Sequence, residues 1–291
     1  MQAIEYVAPA SLDEAVRALA AGGPGARVLA GGTDVIIQAR ENRKDVRVMV
    51  DVKKVPETNV LSIEADGSLK VGAATTCDRI YSNAEVARRF PALIDSASLI
   101  GGIQIQSRAS LGGNLCNSSP AADSIPTLIA LSAVCEIAGP NGRRTVPVEE
   151  FCTGPGQNVL QPGELLVTLT IPAPKPNSGA AFERFIPRNE MDIAVTNAAA
   201  SITLAAGGST FESARIAIGA VAPTPLFVKE AGDALAGKPV SAETIAAAAS
   251  AASAAARPIT DMRGSAAQRT HLAGVLTTRV INKAVERARG A

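Results

Sequence analysis

The sequence predicts a chain of two domains, each mixing helix and sheet, and three observations carry that reading. Between Ile4 and Val52, short apolar strands alternate with helical stretches, a βαβαβ-like order that suits an α/β or an α+β layer. Three prolines in five residues, Pro172 to Pro176, then form a semi-rigid linker and the main boundary. Beyond it, strand patterns come first and helix patterns last. That grouping argues for an α+β second domain, an antiparallel sheet with helices on one face.

The elements follow in order. Ile4–Val7 reads as a strand. Ser11 and Glu14 form a capping box before Leu12, Ala15, Val16 and Leu19, which recur at helical spacing. Gly22-Gly23-Pro24-Gly25 ends that helix, Arg27–Leu29 is a strand, Val35–Arg43 a helix and Val46–Val52 a buried strand. Leu61–Glu64 and Leu69–Val71 flank Asp66-Gly67, a hairpin signal. Helical patterns follow at Asp78–Phe90 and Pro91–Ile100. The stretch Gly101–Pro120 is glycine-rich and polar without sustained period. A helix resumes at Ile125–Ala133, and Val134–Ala138 with Arg144–Val148 make a second hairpin about Pro140-Asn141-Gly142. Val167–Ile171 is the last strand before the linker. Past the linker, strands at Ala180–Phe185, Ala198–Ala205 and Ala214–Ala220 precede helices at Pro225–Leu235, Ala242–Ala256 and Ser265–Ala288.

Composition narrows the function. With 28 Lys+Arg against 27 Asp+Glu, the chain has no basic footprint for nucleic acid or an anionic membrane. A single His and four scattered Cys without C-x-x-C spacing leave no metal ligand set in this chain. Four thiols in 291 residues are no disulfide framework and fit a reducing, cytoplasmic setting. The most Ala-rich run, Ala246–Ala256, is broken by Ser250 and Ser253 and falls short of the roughly 20 apolar residues of a membrane span.

Two segments carry candidate chemistry. In Leu29-Ala30-Gly31-Gly32-Thr33-Asp34-Val35-Ile36, a double glycine at a strand end lets backbone N–H groups close on an anion, with pyrophosphate the natural guest. The alternative is a tight strand–helix turn. In Ser110-Leu111-Gly112-Gly113-Asn114 and onward to Asp123-Ser124, a second double glycine precedes small hydrogen-bonding residues and an acid. Such a segment cradles a phosphate and offers a carboxylate to a ribose or adenine edge. The alternative is a polar loop whose Asp123 or Ser124 caps the next helix. Neither G-x-G-x-x-G nor G-x-x-x-x-G-K-[ST] is present, so the Rossmann and P-loop readings fall away.

AGGTD followed by SLGGNLCNSSPAADS resembles the flavoprotein, or medium, subunit of the molybdenum hydroxylases. That family includes the medium subunits of carbon monoxide dehydrogenase and nicotinate dehydrogenase and the flavin domain of xanthine dehydrogenase. Two further motifs continue the resemblance in order, Arg188–Ala194 and Asp261–Arg269. It implies an α+β fold: an FAD-binding domain of vanillyl-alcohol-oxidase type over residues 1–174, with α+β subdomains of about 1–55 and 56–174, then a smaller C-terminal domain over 177–291.

The resemblance also implies site residues. Leu29, Ala30, Gly31, Gly32, Thr33, Asp34, Val35 and Ile36 match the first FAD loop; Ser110, Gly112, Gly113 and Asn114 match the second. Asp123 matches the acid that contacts the adenosine part, Ile100 an apolar residue packed on the flavin, and Val167 and Arg184 later contacts. Two departures stand out: no aromatic lies near Ile100 or in Arg188–Asp192, and Gln268 replaces a tyrosine common in the last motif. No catalytic residue and no metal ligand of this chain is implied. Arg263 reads as a salt-bridge partner of Asp261 or Glu286, and Asp192 as a partner of Arg188.

What the resemblance implies about function is an FAD-binding electron-transfer subunit. Its partners would be a large subunit with the molybdenum cofactor and a small subunit with two [2Fe–2S] clusters, assembled as a dimer of heterotrimers. Electrons from the clusters would pass through FAD to an external acceptor. A self-contained FAD oxidoreductase of the same fold, like the cell-wall reductases, is the alternative; a subunit that has lost its flavin is opposed by the intact glycine segments.

Overall fold

A computed structural model describes residues 3–290. The first layer is β1 (Glu5–Val7), α1 (Leu12–Gly22), β2 (Ala26–Leu29), α2 (Val35–Arg40) and β3 (Val48–Asp51). Its strands lie in the order β1-β3-β2 and are parallel, so this part takes the α/β form. The capping box forms: Glu14 N donates to Ser11 Oγ at 3.3 Å, and Ala10 N donates to Glu14 Oε2 at 2.9 Å. Leu12, Ala15 and Leu19 bury one face of α1 against Val50 and Val52.

The second layer begins with β4 (Leu61–Ile63) and β5 (Leu69–Gly72). Six short helices follow: α3 (Cys77–Tyr81), α4 (Ala84–Arg89), α5 (Pro91–Ala97), α6 (Ile103–Gln106), α7 (Leu111–Asn117) and α8 (Ser124–Ala130). Then come β6 (Val134–Gly139), β7 (Gly142–Pro147), a small hairpin of β8 (Cys152–Gly154) and β9 (Gln157–Asn158), and β10 (Leu165–Ile171). The sheet order is β4-β5-β10-β6-β7, all antiparallel. Central β10 is apolar at five of its seven residues and buried at six, because both of its faces are covered. The single helix expected over 78–90 is two, because Asn83 caps α4: its Oδ1 accepts from Glu85 N and Val86 N at 3.1 and 3.0 Å. The segment read as aperiodic holds α6 and α7.

The third layer is an antiparallel sheet of β11 (Ser178–Phe185), β12 (Thr196–Leu204), β13 (Phe211–Gly219) and β14 (Leu226–Phe227), with α9 (Lys229–Leu235), α10 (Ala242–Ala255) and α11 (Ala266–Arg289). The helices cover one face, as expected. The opposite face is not free: α5 and α8 pack on it, with Phe182 and Ala199 against Ala130 and Leu99. This explains the alanine content. β12 runs Asn197-Ala198-Ala199-Ala200 and is buried on both sides, and small side chains let helix and sheet backbones approach. A Cβ on Gly179 would collide with the Ala284 carbonyl of α11.

Ionic contacts bind this layer to the second. Asp95 on α5 takes a bidentate pair from Arg287 at 2.6 and 2.9 Å, Lys283 Nζ at 3.2 Å and the Phe182 N–H at 3.2 Å. Arg215 Nη2 donates to Glu149 Oε1 at 2.7 Å and lies over the Phe227 ring at 4.0 Å. Burial alone would raise the Asp95 carboxyl, but the Arg287 bond and the Arg287 and Lys283 charges hold it below its ordinary value. A carboxyl lowered by folding stabilises above its unfolded pKa, about 4, and loses that contribution as pH falls through the folded value. We therefore expect the urea-midpoint gap between wild type and Asp95→Asn to be full at pH 6 and to close as pH drops below about 4. A gap unchanged down to pH 3 would contradict the pairing.

Candidate cofactor site

The first glycine segment leaves β2 and enters α2. Gly32 has φ +80°, and a Cβ there would meet Ile36 Cδ1 at 2.6 Å. A Cβ on Gly31 would run into the backbone carbonyl of Arg108. That contact matters, because Arg108 directly precedes Ala109 and Ser110. The two glycine segments, far apart in sequence, therefore lie against each other. Lys53 fixes the first from behind: its Nζ donates to Ala30 O at 3.2 Å and pairs with Asp51 at 2.7 Å, and Tyr6 OH donates to Asp51 Oδ2 at 2.6 Å.

The second segment is the start of α7 rather than an irregular loop. Ser110 is its N-cap, with Oγ accepting from Gly113 N at 3.0 Å. Gly112 has no room for a side chain, since a Cβ would strike the Ala73 backbone. Gly113 has only Ser110 Oγ nearby, at 3.0 Å. Gln38 Nε2 on α2 donates to Asn117 Oδ1 on α7 at 3.2 Å, tying the two helices that leave the glycines.

The remaining expected residues divide. Asn114 faces inward and its Oδ1 accepts from Ser124 N and Oγ at 3.3 and 2.6 Å, so its side chain holds the start of α8. Ile100 is 9% exposed and belongs to the main core, just before Gly101 at φ +65°. Val167 is wholly buried in the core beneath α1, and its carbonyl accepts from Ala73 N at 2.9 Å. Its side chain offers no surface to a ligand. Thr33, Asp34, Val35 and Ile36 lie where the first turn meets α2, with Asp34 and Ile36 exposed.

Asp123 precedes α8 but its carboxylate does not cap that helix. Instead Oδ2 accepts from Arg184 Nη1 of β11 at 2.5 Å. Asn197 on β12 donates from Nδ2 to Ala122 O at 3.2 Å. Burial pushes the Asp123 carboxyl up to about 6, against the opposing pull of Arg184 and Asn197. Three buried polar atoms here have no partner: Asp123 Oδ1, Arg184 Nε and Asn197 Oδ1. Each unmade bond costs about 1–3 kcal/mol. Arg184 also lines a groove of about 420 Å³ between α5, β11 and α11, beside Ser98, Asn189 and Lys283.

The later motifs build local structure. Arg188 Nε donates to Asp192 Oδ2 at 3.3 Å, and Met191, at φ +52° and 52% exposed, lies over Gly102 with its sulfur 3.5 Å from Gln104 Nε2. Asp261 does not pair with Arg263 or Glu286. Its Oδ1 accepts from Arg263 N and Gly264 N in a tight turn and from Arg269 Nη2 at 2.7 Å, while Arg269 Nη1 donates to Val195 O at 2.6 Å. The helix that begins after Gly264 carries Arg269, not Arg263, back over the turn. Exposed His271 takes no part.

Cys116 on α7 packs against the main core. Burial, with Cys152 nearby, pushes its thiol up to about 12, and burial likewise pushes Cys77 up to about 12. Burial raises Cys135 and Cys152 as well. We expect the native chain to react with a disulfide reagent over hours at pH 8 and all four thiols within seconds in denaturant. One fast thiol in the native chain would refute this. Among the described residues, no group of three or more His, Cys, Asp or Glu is placed to hold a metal ion.

The geometry fits FAD: two glycine turns that a Cβ would fill meet at their backbones, and a buried carboxylate oxygen nearby lacks a donor. Comparison with known proteins agrees. Residues 2–174 match the family model of the FAD binding domain in molybdopterin dehydrogenase, and residues 181–284 that of the CO dehydrogenase flavoprotein C-terminal domain. The chain is 36% identical over 286 residues to a xanthine dehydrogenase FAD-binding subunit of Escherichia coli O157:H7, covering 98% of this chain and 97% of the relative. It is 34% identical over 281 residues to the carbon monoxide dehydrogenase medium chain of Hydrogenophaga pseudoflava, covering 96% of each. A crystal structure of a Cu,Mo-CO dehydrogenase superposes with a TM-score of 0.94 at 31% identity, over 98% of this chain and 99% of that one.

Proposed function

The chain belongs to the FAD-binding subunits of the molybdopterin dehydrogenases, and on that premise we propose that it is the electron-transfer subunit of a heterotrimeric molybdenum hydroxylase. It would receive electrons from [2Fe–2S] clusters of a small partner and pass them to an external acceptor, while a large partner holds the molybdenum cofactor and transforms the substrate. The observation that carries this reading is the contact of Gly31 with the Arg108 carbonyl, which joins two glycine turns into one cradle.

In this reading, Leu29 to Ile36 and Ser110 to Asn114 would hold the pyrophosphate through backbone N–H groups, and Asp123 would accept from the adenosine part. Ile100 would pack on the flavin ring, and Arg184 would steady Asp123. FAD, when bound, supplies the exchange of single electrons for pairs. The chain's own residues bind and orient it and limit water; none is needed as nucleophile or general acid. Among the described residues no helix is long and apolar enough to cross a membrane. We assign the complex to the cytoplasm, a reducing setting that suits free thiols, as a dimer of heterotrimers.

The test is direct. Purified chain should carry one FAD released on denaturation, and should capture partner chains holding molybdenum and iron–sulfur clusters. Colourless protein that takes up no FAD on reconstitution would overturn the proposal. Substrate turnover by the chain alone would favour a self-contained oxidoreductase.

A further inference from the structure

Arg184 and Asn197 stand directly opposite each other on β11 and β12. Cross-strand neighbours point to one face, and here both reach the same two-residue step of the other domain. Arg184 grips the Asp123 carboxylate, and Asn197 grips the carbonyl of Ala122 just before it. Space for the Asn197 amide is made by its partner on the other side, Gly219, where a Cβ would collide with Asn197 Oδ1. Asn197 is fully buried and the Arg184 side chain is 4% exposed.

The cluster is incomplete. Asp123 Oδ1, Arg184 Nε and Asn197 Oδ1 all lack partners, although buried polar groups are otherwise nearly always bonded. Of these, Asp123 Oδ1 is an acceptor and Arg184 Nε a donor, while Asn197 Oδ1 is turned to Gly219. The Asp95 contacts to Arg287, Lys283 and Phe182 N, by contrast, are complete. The Asp95 contact is thus closed and the Asp123 cluster is not; the third interdomain contact, Arg215 to Glu149, also leaves one oxygen, Glu149 Oε2, unbonded.

We propose that Arg184 and Asn197 are positioning residues that hold the Asp123 carboxylate for the cofactor, so that cofactor binding and docking of the C-terminal domain are linked through this one cluster. The inference rests on the assignment of FAD to the site. A ligand that completes bonds available only in the docked arrangement stabilises that arrangement by mass action, and docking strengthens ligand binding in return.

The experiment uses the full chain, stripped of flavin and titrated with FAD by flavin fluorescence, with thermal midpoints measured with and without FAD. Arg184→Met and Asn197→Ala should each weaken FAD binding at least tenfold and shrink the FAD-induced rise in midpoint. Arg184→Lys, which keeps the charge but not the fork that presents Nη1 and Nε, should recover part of the affinity that Arg184→Met loses. Arg287→Met, which breaks the closed contact, should lower the apo midpoint yet leave FAD affinity within twofold. Wild-type affinity in Arg184→Met or Asn197→Ala overturns the inference. So does an Arg287→Met that stays docked, with wild-type resistance to proteolysis in segment 172–176, yet loses FAD as severely. If Arg184→Met does not fold, Asn197→Ala and Arg184→Lys decide the matter. Wild type that binds no FAD rejects the functional assignment itself; wild type that binds while the variants are unaffected rejects only this linkage.

Discussion

Gly31→Ala is expected to strip flavin from the purified chain, to below a tenth of wild-type content, and to lower its thermal midpoint. The added methyl would overlap the backbone carbonyl of Arg108. A side chain can rotate away from such a clash, but a carbonyl between α6 and α7 cannot. Either β2–α2 or the Ser110 segment must move, and overpacking of this kind costs about 1–3 kcal/mol. Movement at this point separates the two glycine turns, so the cofactor loses its cradle as well. Gly113→Ala is the informative companion. Its methyl meets only Ser110 Oγ at 3.0 Å, and in helix α7 alanine gains about 0.5–1 kcal/mol over glycine. It should therefore keep a midpoint near wild type, the helix gain set against the pressure on the Ser110 cap, while losing flavin, because the methyl crowds the segment assigned to the pyrophosphate. Near-stoichiometric FAD in Gly31→Ala, by absorbance of the released flavin, would sink the cradle.

Much of the fold could be read from local signals, and the misses share a cause. Ser11 and Glu14, Asp66-Gly67 and Pro140-Asn141-Gly142 mark structure by chemistry within a few residues, and each behaves accordingly. Asn83 was hidden because its side chain caps a helix inside an otherwise continuous helical period. Helix α7 was hidden because its glycines and polar residues suit a loop; it persists through the Ser110 cap and the close approach of Gly112 to Ala73, a contact no local pattern reveals.

The same divide runs through the site. Gly31, Gly32, Ser110 and Asp123 were visible as residue types in suggestive order. The contacts that organise them were not: Lys53 behind Ala30, the bond from Arg184, itself named as a site residue, to Asp123, and Asn197, which precedes three alanines in β12. In the last motif Arg263 reads as the partner of Asp261 or Glu286, and it is the direction of α11 that brings Arg269 to Asp261 instead. Val167 is named from the resemblance alone; its side chain lies in the core and its carbonyl accepts from Ala73 N.

Phe182→Ala should be the most destabilising single truncation at the seam between domains, costing about 3–5 kcal/mol. Phe182 is 1% exposed and lies between β11 and the helices of the preceding domain, against Ala130, Ala199 and Leu99. The size of the loss follows from those neighbours. A cavity is cheap when long side chains swing in to fill it, but here two of the three walls are alanines fixed to a strand and a helix. The void therefore persists, close to the Phe182 N–H that supports Asp95, so the ionic contact loosens with the packing. Urea unfolding should show the full loss, and proteolysis in the proline-rich segment 172–176 should accelerate before global unfolding, as the C-terminal sheet lifts from α5 and α8. A loss below 1 kcal/mol, or cleavage at the wild-type rate, would mean that the seam is held by its ion pairs and not by this ring.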